Sequence, residues 1–440
     1  MPKKFPRCNS VRHGRGSRRG TIYVFVLATG MVVALIAAAV LTVAQVNGRV
    51  VSQSNDSAEA EVLAENAVEY ALNAIANDSN WRTDYPTSMA VGPISMGRGT
   101  ISFTLSDDMG GTLATSTTDS VRIYGYGRVR GATKVYSLRA QPTSPLTCLQ
   151  TAMDVAGAAT FASGMTSITG SGIIASNTSV GGNSNSFNAL NVEAVGTVTG
   201  CNGTGTHLGA VTARTFPDST HVFDYYRTNG TSIILGSLPV SGTTLQCFYR
   251  VFSSSVNTLG GATNASGIYV IDCQSKVIQV QNCRVIGTLV LLNVGSGSTI
   301  QSSNYFQQGS NGYPVLMVQG AITIKTAATN LADSSATGDS NVATINYNQS
   351  GAAYQGVTDT TYTTQYPSRF DGLVYVSGNL TTSSAPNFNG VLVVGGTYTG
   401  SAFTGITFGY DSSFYKNPPP GFTGTSLAPV SGSWRWETAP

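Results

Sequence analysis

From Thr21 to Val46 the chain reads Thr-Ile-Tyr-Val-Phe-Val-Leu-Ala-Thr-Gly-Met-Val-Val-Ala-Leu-Ile-Ala-Ala-Ala-Val-Leu-Thr-Val-Ala-Gln-Val, without one charged side chain. About 25 residues exceed the roughly 20 that a helix needs to cross the hydrocarbon core of a bilayer. In lipid such a run must be helical, because a helix satisfies its own backbone hydrogen bonds where no water can. Ahead of it, residues 1–20 hold Lys3, Lys4, Arg7, Arg12, Arg15, Arg18 and Arg19 and no acid. That asymmetry keeps the N-terminus in the cytoplasm and sends the rest outward, to the periplasm or cell surface. The expected topology is a single pass of the cytoplasmic membrane, with membrane lipid as the first partner. Two simpler readings stand beside a retained assembly helix: a cleaved secretory signal, with weak cleavage candidates at Ala37-Ala38-Ala39 and Ala44, and a plain anchor.

The basic balance belongs to that head. The whole chain carries a net +3, yet residues 1–20 alone contribute seven cations, so the other 420 residues are net acidic. No basic stripe remains for a phosphate backbone, and nucleic acid is excluded as a partner.

The junction Arg18-Arg19-Gly20-Thr21-Ile22-Tyr23-Val24-Phe25 resembles the leader junction of class III type IV prepilins. The resemblance implies that a prepilin peptidase cuts between Gly20 and Thr21, leaving residues 1–20 as a cytoplasmic leader and a new amine on Thr21. Downstream, Leu63, Ala67, Tyr70, Ala71, Ala74 and Ile75 recur at helical spacing, opposite Asp56, Glu59, Glu61, Glu65 and Glu69. One long helix over 21–79 is expected, apolar first and amphipathic after. This half, ending in Ala64-Glu-Asn-Ala-Val-Glu-Tyr-Ala-Leu72, resembles PilX-like minor pilins and the minor pseudopilins of type II secretion. The resemblance covers roughly residues 16–80. It implies pilin or pseudopilin subunits as partners and a place in filament assembly. Major pilins carry Glu at the fifth mature position, which here is Phe25. A carboxylate inside a filament core is tolerable only when paired, and in pilins its partner is a neighbour's N-terminal amine, so Phe25 argues against a major structural subunit; it is compatible with a minor, tip or priming subunit and equally with no filament at all.

Residues 80–142 read as a small antiparallel β region. Gly99–Leu105, Val121–Val129 and Thr133–Arg139 alternate at period two, and Pro142 and Pro145 mark the boundary that follows. From Cys148 to about residue 430 the character changes. Apolar bursts recur between Gly, Asn and Ser, among them Gly267-Ile-Tyr-Val-Ile271 and Gly287-Thr-Leu-Val-Leu-Leu292. The clearest pair, Asp371-Gly-Leu-Val-Tyr-Val-Ser-Gly378 and Asn389-Gly-Val-Leu-Val-Val-Gly-Gly396, repeats after about 18 residues, a period typical of solenoids. Only 10% of the residues are charged, against about 25% in an ordinary soluble domain. Stacked coils with uncharged turns explain that scarcity. The expected fold class is therefore mainly β: an N-terminal transmembrane helix, a small antiparallel meander, then a right-handed parallel β-helix. A β-sandwich or jelly roll is the alternative. Residues 326–368 read as a loop inserted in one coil. Residues 431–440 form a tail, whose Trp434 and Trp436 are expected to help cover the last open coil. The Gly-Leu-Val-Tyr-Val-Ser-Gly block and the tail also look similar to repeats of PilX-type pilus-assembly proteins.

Little in the body points to chemistry. Of six cysteines, Cys8 falls in the leader and Cys148, Cys201, Cys247, Cys273 and Cys283 fall outside, where disulfides persist. Cys273 and Cys283 follow two neighbouring apolar bursts and are a candidate disulfide; buried stacking of unbridged side chains is the other reading. No Cys-x-x-Cys exists and His207 and His221 are isolated, so neither a metal nor any cofactor is expected. Glycoside chemistry needs clustered carboxylates, and beyond residue 150 no two acids lie within two residues of each other. The best constellation, Asp218-Ser-Thr-His221-Val-Phe-Asp224-Tyr-Tyr-Arg227, reads as a solvated turn rather than a catalytic site. A structural, non-enzymatic minor pilin or pseudopilin-like subunit is the expectation, its solenoid displayed for adhesion to surface polysaccharide or for subunit contact. A membrane-tethered carbohydrate-binding or carbohydrate-active β-helix is the alternative.

Overall fold

The computed structural model describes residues 18–78, 81–108, 110, 112–113, 119–142, 144–162, 168–333, 344–401, 405–424 and 427–438. Residues 1–17, with Cys8, lie outside the described residues. Helix α1 runs Arg18–Asn77 without a break, about 90 Å at 1.5 Å per residue. Its two halves behave differently. From Ile22 to Val51 every large apolar side chain is exposed, over a stretch whose mean hydropathy reaches 2.8. Ala60, Leu63, Ala64, Ala67, Val68, Ala71 and Ile75 are buried, one face at three- and four-residue spacing. Tyr70, expected on that face, is 41% exposed and lies at its rim, its ring centroid 6.3 Å from that of Phe103.

That face packs on an antiparallel sheet of β1 (Val91–Met96), β2 (Gly99–Asp107), β3 (Val121–Val129) and β4 (Ala132–Pro142), paired in chain order. Helix and sheet meet through small residues. A β-carbon at Gly125 would overlap the Ala64 carbonyl, and one at Gly127 the Ala60 carbonyl. Alanine on the helix and glycine on the strand thus bring the two backbones together, and Phe103, Leu105, Ile123 and Leu138 fill the space beside them. Asp56, Glu59 and Glu61, expected as the polar side, reach across to the sheet. Asp56 pairs with Arg98 at 3.6 Å and Arg130 at 3.4 Å, Glu59 with Arg98, and Glu61 with Lys134 at 3.0 Å. These cations are more than a third exposed, so each pair stabilises by at most about 1 kcal/mol.

The sheet does not end at β4. Leu427–Pro429 and Arg435–Glu437 both pair antiparallel with β4, in the registers Leu427↔Pro142 and Glu437↔Val135. Trp434 and Trp436 pack on Tyr136, with ring centroids 5.4 and 4.4 Å away. The expectation that these aromatics cover an open coil is therefore overturned. Pairing with β4 satisfies backbone groups of the tail that a coil end would leave open. Everything between Pro142 and Leu427 is an insertion into the edge of the helix–sheet unit.

Within the insertion, strands stack in three parallel ladders. The first contains Ile268–Asp272, Thr288–Leu292 and Leu316–Val318, then the C-terminal parts of Arg369–Val376 and Asn387–Val394. The second contains Thr244–Phe248, Ile278–Gln281, Thr299–Ser302, Ile322–Thr326, Leu380–Thr382 and Tyr398–Gly400. The third contains Val251–Phe252, Arg284–Ile286, Tyr305–Gln307, the N-terminal parts of Arg369–Val376 and Asn387–Val394, and Ile406–Tyr410. A sandwich or jelly roll would pair these strands antiparallel. The Leu373↔Val391 pairing is the 18-residue repeat seen in the sequence.

The stacking order departs from chain order. Met153–Val155, Ala159–Phe161 and Ile168–Gly170 lie against the last C-terminal strands, in the registers Met153↔Leu392, Ala159↔Tyr398 and Ile168↔Ile406. The chain thus enters the stack at its middle and winds out to His207–Leu208. It returns through residues 209–230 and re-enters at the far end, where Thr231 pairs with Tyr269. From there it winds back to meet its own start. Inside the third ladder Phe306, Phe370, Phe388 and Phe408 stack ring on ring, at successive centroid distances of 4.9, 5.2 and 5.8 Å.

Two of the three outer faces are covered by the chain itself. Leu146, Leu149, Val222, Phe223, Tyr226, Phe414 and Phe422 lie over the first ladder. Its strands are buried on both sides, which is why they read as continuous apolar bursts rather than alternating ones. Part of the third ladder is covered by the segment expected to emerge as a loop over 326–368. That segment instead lies down, with Leu331, Ile345, Tyr347 and Tyr366 against Val251 and Tyr305; residues 334–343 lie outside the described residues. Among the described residues the second ladder keeps a face open along the stack, and the third does so beyond the covered part, at Asn389 and Thr407.

Candidate functional site: exposed helix, junction and open ladder

Gly20 and Thr21 fall in the first turns of α1, within uninterrupted helix. Phe25 is 71% exposed one turn further on, and it belongs to a band in which Ile22, Tyr23, Val24, Val26 and Leu27 are equally bare. No described residue covers that surface. Burying it against an apolar partner would return roughly 25 cal/mol per Å² of apolar area, which is compatible with lipid or with other apolar helices.

Where the insertion leaves the sheet, a cavity of about 490 Å³ opens between Arg139 and Gln141 of β4, His221 and Asp224 of the returning segment, and the Pro418-Pro419-Pro420 turn. Two members of the constellation noted in the sequence, His221 and Asp224, line it. Asp218 Oδ1 accepts hydrogen bonds from the backbone N–H groups of Thr220 at 2.7 Å and His221 at 3.1 Å. His221 Nδ1 lies 3.0 Å from Asp224 Oδ2, and Arg227 donates to the other Asp224 oxygen at 2.9 Å. Burial works to lower the pKa of His221, but the Asp224, Asp218 and Asp119 carboxylates outweigh it and raise it. Asp119, across the cavity, is raised by burial. Asp218 closes a turn and Asp224 is held between His221 and Arg227, so the group works as a local clamp.

The open face of the second ladder carries a column of threonines. Thr299, Thr323, Thr381, Thr399 and Thr160 are in register across five successive strands, and Thr199 resumes the column after Gly181. Neighbouring strands in such a ladder are about 4.8 Å apart, so the hydroxyls and methyls form a regular row.

The five described cysteines carry free thiols, four of them buried. Cys273 and Cys283 turn at two different corners of one coil, separated by the strand Ile278–Gln281. The Cys273 thiol lies 3.8 Å from the Ile271 carbonyl, whereas that of Cys283 donates to the Cys247 carbonyl at 3.1 Å. The structure thus brings Cys283 to Cys247 and not to Cys273.

Two buried ionisable side chains belong to no motif in the sequence. Asp154, fully buried on the first ladder, lies 3.5 Å from Arg214 of the returning segment, which also holds Glu193 at 2.8 Å. Burial pushes the Asp154 carboxyl up to about 8 against the pull of Arg214. Arg284, also fully buried, donates to the carbonyls of Tyr347, Ala352 and Ala353 at 2.7, 2.6 and 2.9 Å and lies over the rings of Tyr366 and Tyr354. A lone Arg among Val, Ile and Asn was the one available hint.

No family model matches the sequence, and no curated protein is similar to it. Among solved structures, the chain is similar to the competence-associated pilin ComZ from Thermus thermophilus, at 10% identity and a TM-score of 0.28, over 87% of this chain and 98% of that one. An ice binding protein from an Antarctic biological consortium shares 11% identity at a TM-score of 0.25, over 61% of this chain and 93% of that one. A second ice binding protein, from an Antarctic bacterium of the Flavobacteriaceae, shares 14% identity at a TM-score of 0.22, over 61% and 49%. Overall fits this loose transfer neither fold nor function to this chain.

Proposed function

We propose that this chain is a minor pilin or pseudopilin-like subunit of a type IV pilus or type II secretion-type filament, PilX-like in its helix. Its inserted region winds as a right-handed parallel β-helix, presented to the outside on the helix–sheet unit. The single observation that carries the reading is the division of α1: one half bare and apolar, the other seated through Ala60, Ala64 and Ala67 on an antiparallel sheet. A helix built that way can be drawn from lipid into a bundle of sister helices while its sheet stays in water. The N-terminus is cytoplasmic, a prepilin peptidase removes the leader between Gly20 and Thr21, and no reaction is assigned to the protein. Phe25 leaves no carboxylate to meet the amine of a subunit ahead, which favours a terminal or minor position. Adhesion to surface polysaccharide is the role assigned to the displayed coil.

Mass spectrometry of the mature N-terminus tests this reading. A terminus at Thr21 that disappears when the cell's prepilin peptidase is deleted supports it. A terminus near residue 45, or a chain that keeps Met1 in cells with active peptidase, sinks it.

A further inference from the structure

We infer that Cys247 and Cys283 form a disulfide that staples the terminal coil of the stack to the next one. Cys247 points inward from Thr244–Phe248 and is in register with Val280 on the adjacent coil. Three residues beyond Val280 the chain turns a corner through Asn282, whose φ is 51°, and this places Cys283 inside. Both side chains are wholly buried. The Cys283 thiol donates to the Cys247 carbonyl at 3.1 Å, and the two side chains are close enough to influence each other's titration. The corner is held from the next coil as well, where Asn304 Oδ1 accepts from the Cys283 N–H at 2.9 Å. The Cys247 strand has one parallel neighbour, Ile278–Gln281; on its other side it meets only the short antiparallel strand Val240–Ser241. An end strand with a single ladder partner is where a stack of coils frays first, so a covalent link there acts where it is most needed.

The step balances as ordinary thiol–disulfide exchange. A cysteine thiolate attacks the disulfide of an oxidant, here a disulfide-bearing protein or glutathione disulfide, forming a mixed disulfide and releasing one thiol. The second cysteine thiolate attacks the cysteine sulfur of that mixed disulfide and releases the second thiol. Two protons and two electrons leave the pair and are carried by the oxidant. Because both sulfurs are buried in the finished fold, the bond forms as the coils close.

The inference rests on the proposed export of the body of the chain for its setting, and the test separates the two. Full-length protein in detergent is unfolded with reductant and refolded in a buffer of reduced and glutathione disulfide. Free thiols are then blocked with N-ethylmaleimide and the peptides mapped. A parallel sample is blocked inside intact cells that make the full chain, which needs no refolding. The expected result in both is a Cys247–Cys283 cross-link, retained in Cys273→Ser and lost in Cys247→Ser and Cys283→Ser. Loss of the link lowers Tm by about 5 °C under non-reducing conditions only. A Cys273–Cys283 link, or both thiols free in both samples, overturns it. A link in the refolded sample with free thiols in cells supports the pairing and sinks the export reading instead.

Discussion

Single side chains set the tolerances of this fold. Gly127 lies where any β-carbon meets helix backbone, so Gly127→Ala must push α1 off β3. Overpacking of that kind costs about 1–3 kcal/mol, and thermal unfolding of the full chain in detergent should show the loss, whereas Gly131→Ala, with open space around its β-carbon, should not. Asp154 makes a pH prediction. Its folded-state pKa, about 8, lies above the ordinary aspartate value of 3.8, so the folded chain holds a proton that the unfolded chain releases. Stability from this group is full below pH 4 and is lost as pH rises towards 8. Tm measured across that range should fall for the natural chain and fall less for Asp154→Asn; equal slopes would show that Arg214 keeps the carboxylate charged. No pattern in the sequence announces either residue. One Gly among fifty and one Asp among scattered acids acquire meaning only from what packs on them.

At the scale of elements, the 344–368 segment depends on Arg284. Replacing it with Met leaves the carbonyls of Tyr347, Ala352 and Ala353 without a donor, and a buried unsatisfied acceptor costs about 1–3 kcal/mol. Limited proteolysis of Arg284→Met should cut within 344–368 under conditions that leave the natural chain intact there. Persistence of the natural digestion pattern would mean that the aromatic contacts of Tyr347 and Tyr366 suffice. The strands themselves were legible in advance. Gly99–Leu105, Val121–Val129 and Thr133–Arg139 alternate because one side of the head sheet is covered by α1. The Gly-Leu-Val-Tyr-Val type of burst is continuous because the first ladder is covered on both sides. Among the described residues, the segment over 326–368 is largely irregular, as its composition suggested, but its scattered apolar residues are spaced to cap a surface, which no local period reveals.

For the molecule as a whole, the tail's return to β4 means that the two ends of the insertion leave one sheet as neighbours. Pro145 and Thr423 still bridge just outside it. Replacing 146–422 by a short Gly/Ser linker should therefore leave a folded, membrane-inserted head with α1, β1–β4 and the tail strands. Far-UV circular dichroism and a cooperative thermal transition of that variant in detergent would check this; an unfolded product would show that the head depends on its insertion. The sequence by itself determined the long apolar helix, the amphipathic half that follows it, the small antiparallel sheet and a Gly-punctuated stack of short strands. Each of these is written in local periodicity and charge, which need no distant partner. Only the tertiary structure decided that the tail completes the first sheet, that the chain enters its stack in the middle, and that Cys283 meets Cys247. Those pairings join residues far apart in the chain, and which edge a strand joins depends on surfaces that exist only after both partners have folded.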